Sequence, residues 1–135
     1  MNPISPPIPI DVRDVHLGYG DLKVLRGVSL SINAREGVVL LGANGCGKST
    51  LMRALNGLEK PQSGEIHILG ESVTRSRGPA LRSIRRRMGY VFQQFNLIPQ
   101  LTAFQNVLFG LLGQRRLGLL NCLSSVATAE DRERA

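Results

Sequence analysis

The chain has 135 residues, 42% hydrophobic and 4% aromatic, with a formal net charge of +7. That length supports one domain with its own hydrophobic core but not two. No apolar run approaches the roughly 18 residues that a membrane-spanning helix needs, so the sequence predicts no such helix.

The N-terminus and the cysteines point to an intracellular protein. The first ten residues, MNPISPPIPI, hold four prolines and no basic residue, unlike a secretion signal. We interpret residues 1–10 as a flexible, proline-rich leader on a cytoplasmic protein. Cys46 and Cys122 lie far apart without CxxC spacing, so both are expected to be reduced thiols.

Three segments with strand-like patterns predict a small antiparallel sheet beside the core. They are short, bounded by glycine or turn residues, and partly alternating in polarity. Their sequences are VHLGYG (residues 15–20), VLRGVSLSI (residues 24–32) and GEIHILG (residues 64–70).

An aliphatic run and a helical pattern lie between these segments. The run GVVLL, residues 37–41, predicts a strand buried on both faces of a parallel sheet. Downstream, Leu51, Leu55 and Leu58 recur at helical spacing, and Gly57 stands where that helix should end.

The remaining elements are predicted from the second half of the sequence. ALRSIRRRMGYVFQQ, residues 80–94, predicts a helical turn that leads into a strand around residues 89–93. Residues 105–112 predict a further helix, and the final VATAEDRERA predicts the start of another. No internal repeat is present.

The positive charge is unevenly distributed. No acidic residue occurs between Glu71 and Glu130, whereas this stretch carries eight arginines, including Arg85, Arg86 and Arg87. Such a stretch is typical either of a site for an anionic partner or of a solvated face. The low aromatic content argues against nucleic acid, which binds partly by stacking on aromatic rings.

The segment LLGANGCGKST, residues 40–50, carries the clearest functional pattern. Gly42, Gly47, Lys48 and Ser49 match G-x-x-x-x-G-K-[ST], with a predicted strand before and a helix after. Backbone N–H groups of such a loop turn inward and, with the helix N-terminus, bind phosphate. Lys48 is expected to reach the β and γ phosphates of a nucleotide, Ser49 a magnesium ion, and Thr50 a phosphate nearer the ribose. The predicted nucleotide-binding residues of this phosphate loop (residues 42–50) are Gly42, Ala43, Asn44, Gly45, Cys46, Gly47, Lys48, Ser49 and Thr50.

Segments on both sides of the loop indicate which family of phosphate-loop proteins the chain resembles. LGYGDLKVLRGVSL around Tyr19, LNGLEKPQSGEIHILG after the loop, and GYVFQQFNLIPQLT around Gln93 closely resemble the ATP-binding subunits of ABC transporters. The resemblance runs from about Val12 to the chain end. It implies that Tyr19 stacks on adenine, and that Gln93 contacts magnesium or the attacking water and couples to the transmembrane partner. Gln94 is the alternative for that role, and Ala43 replaces a proline common in the family.

A longer segment narrows the resemblance further. HILGESVTRSRGPALRSIRRRMGYVFQQFNLIPQLTAFQNVLFGLLG is similar to the phosphonate-import type, although the tryptophan often found where this chain has RRLGLLNCLSS is missing. The resemblance implies ATP and Mg²⁺ as cofactors, a second ATP-binding subunit and a transmembrane permease. It also implies an indirect link to a solute-binding protein and a location in the cytoplasm, peripheral on the inner face of the cell membrane. No nucleic-acid partner is expected.

Several parts of the family's catalytic site have no counterpart in the sequence. The family places an aspartate and a glutamate after a second apolar strand, yet residues 72–129 contain no acid, and Glu130 and Asp131 follow SVATA, which is no buried strand. The Ser-Gly-Gly signature and the late histidine are also missing. Residues 11–135 therefore resemble the N-terminal half of the domain, in which Lys48 and Gln93 contribute to a catalytic site that this chain does not complete. We expect no hydrolysis by this chain alone.

The predicted fold class is α/β: a partial P-loop NTPase of the ABC type, with a small antiparallel β subdomain and the start of the helical subdomain. A different functional class stays open beside it. The same motif serves the ATPase modules of DNA-repair and translation factors, where the arginines could bind nucleic acid, and stand-alone nucleotide-binding fragments. Salt-dependent DNA binding would favour that class, and co-purification with a permease would favour transport.

Overall fold

The structure is a computed structural model and describes residues 9–94 and 96–111, with side chains up to Val107. It divides into two compact units, Met1–Gly89 and Tyr90–Ala135. Most of the predicted leader, Cys122 and the predicted C-terminal helix start lie outside the described residues. Within the described part, no helix is long and apolar enough to cross a membrane.

The first unit contains a four-stranded antiparallel sheet. Its strands are β1 (Ile10–Tyr19), β2 (Leu22–Ile32), β3 (Ser63–Ile68) and β4 (Glu71–Ser72), in the order β2-β1-β3-β4. The antiparallel sheet predicted from the alternating segments is confirmed. The first strand already begins at the last residue of the predicted leader.

The alternation of inward-facing and outward-facing residues along β1 is interrupted between Val12 and Val15, where a β-bulge restores it. Val12, Val15 and Leu17 are all buried, although Val12 and Val15 are three residues apart. Asp14 between them has φ 47°, and the pairing register with β2 shifts there. Because the extra residue restores the two-residue period, all three apolar side chains reach the core face of the sheet.

The outer face of the sheet carries a polar row that crosses the strands. Asp11 accepts hydrogen bonds from Arg13 Nε at 2.9 Å and from the Ser31 hydroxyl at 3.0 Å, and it pairs in register with His67 of β3. The Arg13 guanidinium, together with the Ser31 hydroxyl and nearby His67, lowers the pKa of Asp11, with burial acting in the opposite direction. These contacts tie β1 to β2 on the side away from the core.

Helix α1 (Lys48–Leu55) packs on this sheet. Leu51, Ala54 and Leu55 are buried with the apolar side chains of the strands in a single core cluster. The predicted helix is confirmed, but its apolar stripe ends at Leu55, because Leu58 lies beyond the helix and is 46% exposed.

The C-terminus of α1 is closed by backbone and side-chain hydrogen bonds. Gly57 adopts φ 65°, and the N–H groups of Gly57 and Leu58 donate to the carbonyls of Ala54 and Arg53 at 2.9 Å each. This is a Schellman arrangement, which a residue with a Cβ would strain. Gly57 therefore ends the helix as the sequence predicts.

Helix α2 (Gly78–Arg85) follows β4 and contributes the fully buried Ile84 to the core. Its last residue, Arg85, donates from Nε to the carbonyl of Asn56 at 2.8 Å and from Nη2 to the carbonyl of Gly57 at 2.9 Å. One arginine of the basic run thus caps the end of α1, where a cation is favoured by the helix dipole.

The strand predicted at residues 37–41 is wrong for this structure. These residues form no ladder, and Val38, Val39, Leu40 and Leu41 are 48%, 78%, 37% and 89% exposed. A strand buried on both faces needs a neighbour on each side. Among the described residues, the sheet strands pair only with one another, so the apolar run has no partner.

The strand predicted around residues 89–93 is also wrong. This stretch has no strand, and Val91 and Phe92 are 95% and 47% exposed. The rings of Tyr90 and Phe92 contact each other edge to face, with centroids 4.5 Å apart. The reason is again the lack of a partner strand in the described chain.

The second unit contains helix α3 (Ala103–Leu111), which confirms the helix predicted over residues 105–112 as far as the description reaches. Thr102 and Gln105 form a reciprocal capping box: Gln105 N–H donates to the Thr102 hydroxyl at 3.2 Å, and Thr102 N–H to Gln105 Oε1 at 2.9 Å. Asn106 holds the preceding turn by accepting from the N–H of Ile98 at 2.8 Å.

Candidate phosphate-binding site

The phosphate loop connects the exposed segment 37–41 to α1. Gly47 is the N-cap residue of α1 with φ 101°, and the helix begins at Lys48. Cys46 N–H donates to the carbonyl of Ala43 at 3.3 Å, which closes a turn inside the loop. The predicted order of glycine loop and helix is confirmed, whereas the strand before it is not.

Lys48 folds back over the loop that precedes it. Its Nζ donates to the carbonyl of Gly42 at 2.7 Å and to that of Ala43 at 2.8 Å, and it lies 3.6 Å from Cys46 Sγ. The ammonium group is thus held at the loop by neutral backbone acceptors. An anion bound to the loop would offer it a charged acceptor, which makes a stronger hydrogen bond.

The first turn of α1 leaves its N–H groups available. Gly47 has no side chain that could accept them, no side-chain cap is present, and the first turn contains no acidic residue. The partial positive charge of a helix N-terminus is then open to an anion. Ser49 is exposed and Thr50 half-buried in this turn. The loop, Lys48 and this turn together fit a bound phosphate chain.

The chemistry of Ser49 suits the expected magnesium ion. Mg²⁺ prefers hard oxygen ligands, keeps several waters and usually binds through substrate phosphates together with one or two carboxylates; in a phosphate loop the Ser or Thr hydroxyl is a further ligand. Ser49 can supply one hydroxyl oxygen of that kind. No cluster of three or more His, Cys, Asp or Glu side chains occurs in the described part.

Tyr19 belongs to the same unit as the loop. It is the last residue of β1 and lies opposite Leu22 across a two-residue turn. Its ring is 45% exposed and therefore has a face available for stacking. Its contact with adenine stays a prediction.

Gln93 lies in the other unit, Tyr90–Ala135, and so does Gln94. Both side chains are exposed and neither residue is in a helix or strand. The roles assigned to Gln93 in magnesium binding and coupling stay predictions, as does the choice between the two glutamines.

The basic stretch is partly neutralised within the first unit, which sequence reasoning missed. Arg75 forms an ion pair with Glu65, and Arg87 forms one with Glu71, while Arg85 caps α1. Both acidic partners precede the stretch in sequence, but β3 and β4 bring them beside it. The strand pattern of GEIHILG was the one signal that could have suggested this. For these three arginines the structure favours internal contacts over an anion-binding face.

Comparison with known proteins identifies the family. The model of the ABC transporter family matches residues 25–135. The chain belongs to this family. It is also similar to the dimeric ABC transporter cassette MJ0796, with a TM-score of 0.79 and 35% identity over 93% of this chain and 53% of the other. A second structure of MJ0796, in a post-hydrolysis state bound to ADP and Pi, gives a TM-score of 0.78 and the same identity. The fold class predicted from the sequence, a partial ABC-type P-loop NTPase, is confirmed.

Several curated relatives are import ATP-binding proteins by name. The chain is 46% identical over 118 residues to the phosphate-import protein PhnC of Mycolicibacterium smegmatis, which covers 87% of the chain and 45% of the relative. It is 48% identical over 103 residues to the methionine-import protein MetN of Brucella abortus; the match covers 76% of the chain and 28% of the relative. It is 40% identical over 127 residues to the phosphonates-import protein PhnC of Rhizobium etli; the match covers 93% of the chain and 44% of the relative. The chain thus spans less than half the length of these three relatives.

Proposed function

We propose that residues 42–50 bind the phosphates of Mg-ATP and that the chain is part of the ATP-binding subunit of an ABC importer. One observation carries the proposal. Lys48 Nζ rests on the carbonyls of Gly42 and Ala43, beside a helix N-terminus that holds neither a carboxylate nor a side-chain cap. A cation and a helix N-terminus without a side-chain cap occur together there, and a polyphosphate suits both.

Each residue has a role in this proposal. Lys48 binds the β and γ phosphates, the loop N–H groups surround them, and Thr50 contacts a phosphate nearer the ribose. Ser49 would hold magnesium, which would supply positive charge that offsets the charge of the phosphates. Tyr19 stacks on the adenine ring. Gln93 contacts magnesium or the attacking water and couples hydrolysis to the transmembrane partner.

The transported solute is proposed to be a phosphonate. The relatives from Mycolicibacterium smegmatis and Rhizobium etli, whose matches cover 87% and 93% of the chain, are named for phosphate and phosphonates import. Methionine is the second candidate, because the Brucella abortus relative is 48% identical over a shorter stretch. Proposed partners are a permease, a second ATP-binding subunit and, indirectly, a solute-binding protein, with the subunit peripheral on the inner face of the membrane.

The phosphate-binding proposal is tested by the Lys48→Ala variant. Loss of a charge-assisted contact worth about 1.5–3 kcal/mol should weaken Mg-ATP affinity roughly ten- to hundredfold. Titration calorimetry on the purified chain measures the dissociation constant. Lys60→Ala is the matched control, since Lys60 is an exposed lysine outside the loop and its loss changes the net charge equally. Equal affinity in wild type and Lys48→Ala would falsify the assignment.

The solute is tested by uptake in the source cell. Introducing Lys48→Ala at the chromosomal locus should abolish uptake of a labelled alkylphosphonate and leave methionine uptake intact. The reverse pattern would assign methionine instead. If neither changes and the purified chain binds duplex DNA with a steep salt dependence, the DNA-repair class is favoured.

A further inference from the structure

The phosphate loop rests on the antiparallel sheet at Gly47. This glycine is buried, whereas residues 42–46 are exposed. A Cβ at Gly47 would lie 3.0 Å from Leu25 Cδ2, 3.1 Å from Val24 Cγ1 and 3.4 Å from the Val24 carbonyl oxygen. The backbone at the N-cap of α1 therefore lies so close to two consecutive residues of β2 that an added Cβ would be crowded by both.

The other flank of the loop offers no comparable support in the described chain. Residues 37–41, which lead into it, form no ladder and expose apolar side chains. On the far side, α1 is fixed by Leu51, Ala54 and Leu55 in the core. Among the described residues, the loop therefore approaches the sheet on its helix side, where Gly47 meets β2.

We infer that Val24 and Leu25 are positioning residues of the phosphate site, acting through their contact with Gly47. This inference rests on the proposed function. The contact fixes where α1 begins, and thereby the direction of the N–H groups of Lys48 and Ser49 and the base of the Lys48 side chain. Small displacements of such groups weaken hydrogen bonds to a phosphate strongly, because their strength depends on distance and angle.

Two valines of β2 provide a matched comparison. Val24 and Val28 are both partly buried and pack against the same core cluster. Val24 is also among the residues nearest to a Cβ added at Gly47. Val24→Ala and Val28→Ala remove the same atoms and should lower the melting temperature to a similar extent. Val24→Ala should weaken Mg-ATP binding by roughly three- to tenfold relative to Val28→Ala, a change that lost core packing alone would not produce.

A second variant keeps the test decisive if Val24→Ala fails to fold. Val24→Ile adds a methyl group beside a contact that is already tight, and should also weaken Mg-ATP binding relative to Val28→Ile. Equal affinities across the two positions would overturn the inference.

A mutant cycle separates contact through Gly47 from any direct contact of Val24 with nucleotide. Gly47→Ala places a methyl group against Val24 and Leu25. Without nucleotide, its effect on the melting temperature should be smaller in the Val24→Ala background than in the Val28→Ala background, because the smaller side chain relieves part of the clash. Strict additivity in both backgrounds would contradict the contact.

The outcomes distinguish this inference from the proposed function. If wild type binds Mg-ATP, Lys48→Ala binds it more weakly, and Val24→Ala matches Val28→Ala, the phosphate site stands and the positioning role fails. If wild type does not bind Mg-ATP at all, the proposed function fails, and the positioning role fails with it.

Discussion

Lys48 Nζ and the carbonyl oxygen of Gly42 are joined by a 2.7 Å hydrogen bond that spans the phosphate loop from its helix end to its first glycine. The lysine thereby closes the loop on itself. A nucleotide that takes over Lys48 must break this bond and the one to Ala43, so binding exchanges two neutral acceptors for charged phosphate oxygens. The same exchange changes the surroundings of the neighbouring thiol.

Cys46 should be protected from alkylation by Mg-ATP. Its side chain is exposed, and Sγ lies 3.6 Å from Lys48 Nζ, within the predicted phosphate cradle. A bulky maleimide and a nucleotide would therefore compete for the same space. The measurement is the labelling rate of Cys46 by peptide mass spectrometry, with and without saturating Mg-ATP.

Cys122 is the internal control for that experiment, since it is far from the loop in sequence. Lys48→Ala is the second control and should lose the protection. An unchanged Cys46 rate in the wild type at saturating nucleotide would show that the nucleotide does not occupy the loop.

Arg85→Ala should destabilise the first unit. The change removes two hydrogen bonds from a charged donor to the carbonyls of Asn56 and Gly57, which lie at the end of α1. The expected loss is about 1.5–3 kcal/mol in the free energy of unfolding, a fall in melting temperature on the order of 10 °C. Arg82→Ala, an exposed arginine on the same helix, is the control and should change the melting temperature by far less. Equal effects of the two changes would contradict the capping role.

Local patterns in the sequence were sufficient to predict the secondary-structure elements whose contacts are local. The alternation of β1 to β3, the leucine spacing of α1 and the glycine that ends it all recur in the structure. The loop residues 42–50 and Tyr19 also belong to one unit, while their roles in nucleotide binding stay predictions. The strands predicted at residues 37–41 and 89–93 are wrong, because a buried strand depends on partners distant in sequence, which the described chain does not supply.

The charge pattern missed two ion pairs for a related reason. The absence of acids after Glu71 was typical of a site for an anionic partner or of a solvated face, but Glu65 and Glu71 reach Arg75 and Arg87 through the packing of β3 and β4. Counting charges along the chain cannot register a pairing made across a turn. The Gly47 contact with β2 likewise has no signal in the sequence, since it depends on where two elements cross.

The apolar run at residues 37–41 should tolerate charge. Val39 and Leu41 are 78% and 89% exposed, so Val39→Lys and Leu41→Lys should each change the free energy of unfolding by no more than about 0.5 kcal/mol. They should also raise solubility, because an exposed aliphatic segment favours association between chains. Light scattering and thermal melting of the purified chain measure both effects. Leu51→Lys, at a buried position of α1, is the destabilising control. A loss of several kcal/mol at residues 39 and 41 would instead place them in a buried strand.

The last prediction concerns turnover. ATP hydrolysis by this fold needs a carboxylate to help hold magnesium and another to polarise the attacking water. Residues 72–129 contain no acid. Of the acids in the first unit, Asp11, Glu65 and Glu71 are engaged by Arg13, Arg75 and Arg87, and Asp14 and Glu36 contact His16 and Asn33. The 135-residue chain should therefore bind Mg-ATP yet release phosphate no faster than Lys48→Ala. Binding and phosphate release must be measured on the same sample, so that slow release is not mistaken for an empty site. Release by wild type well above the Lys48→Ala rate would contradict the prediction and would mean that one of the carboxylates present in this chain reaches the nucleotide.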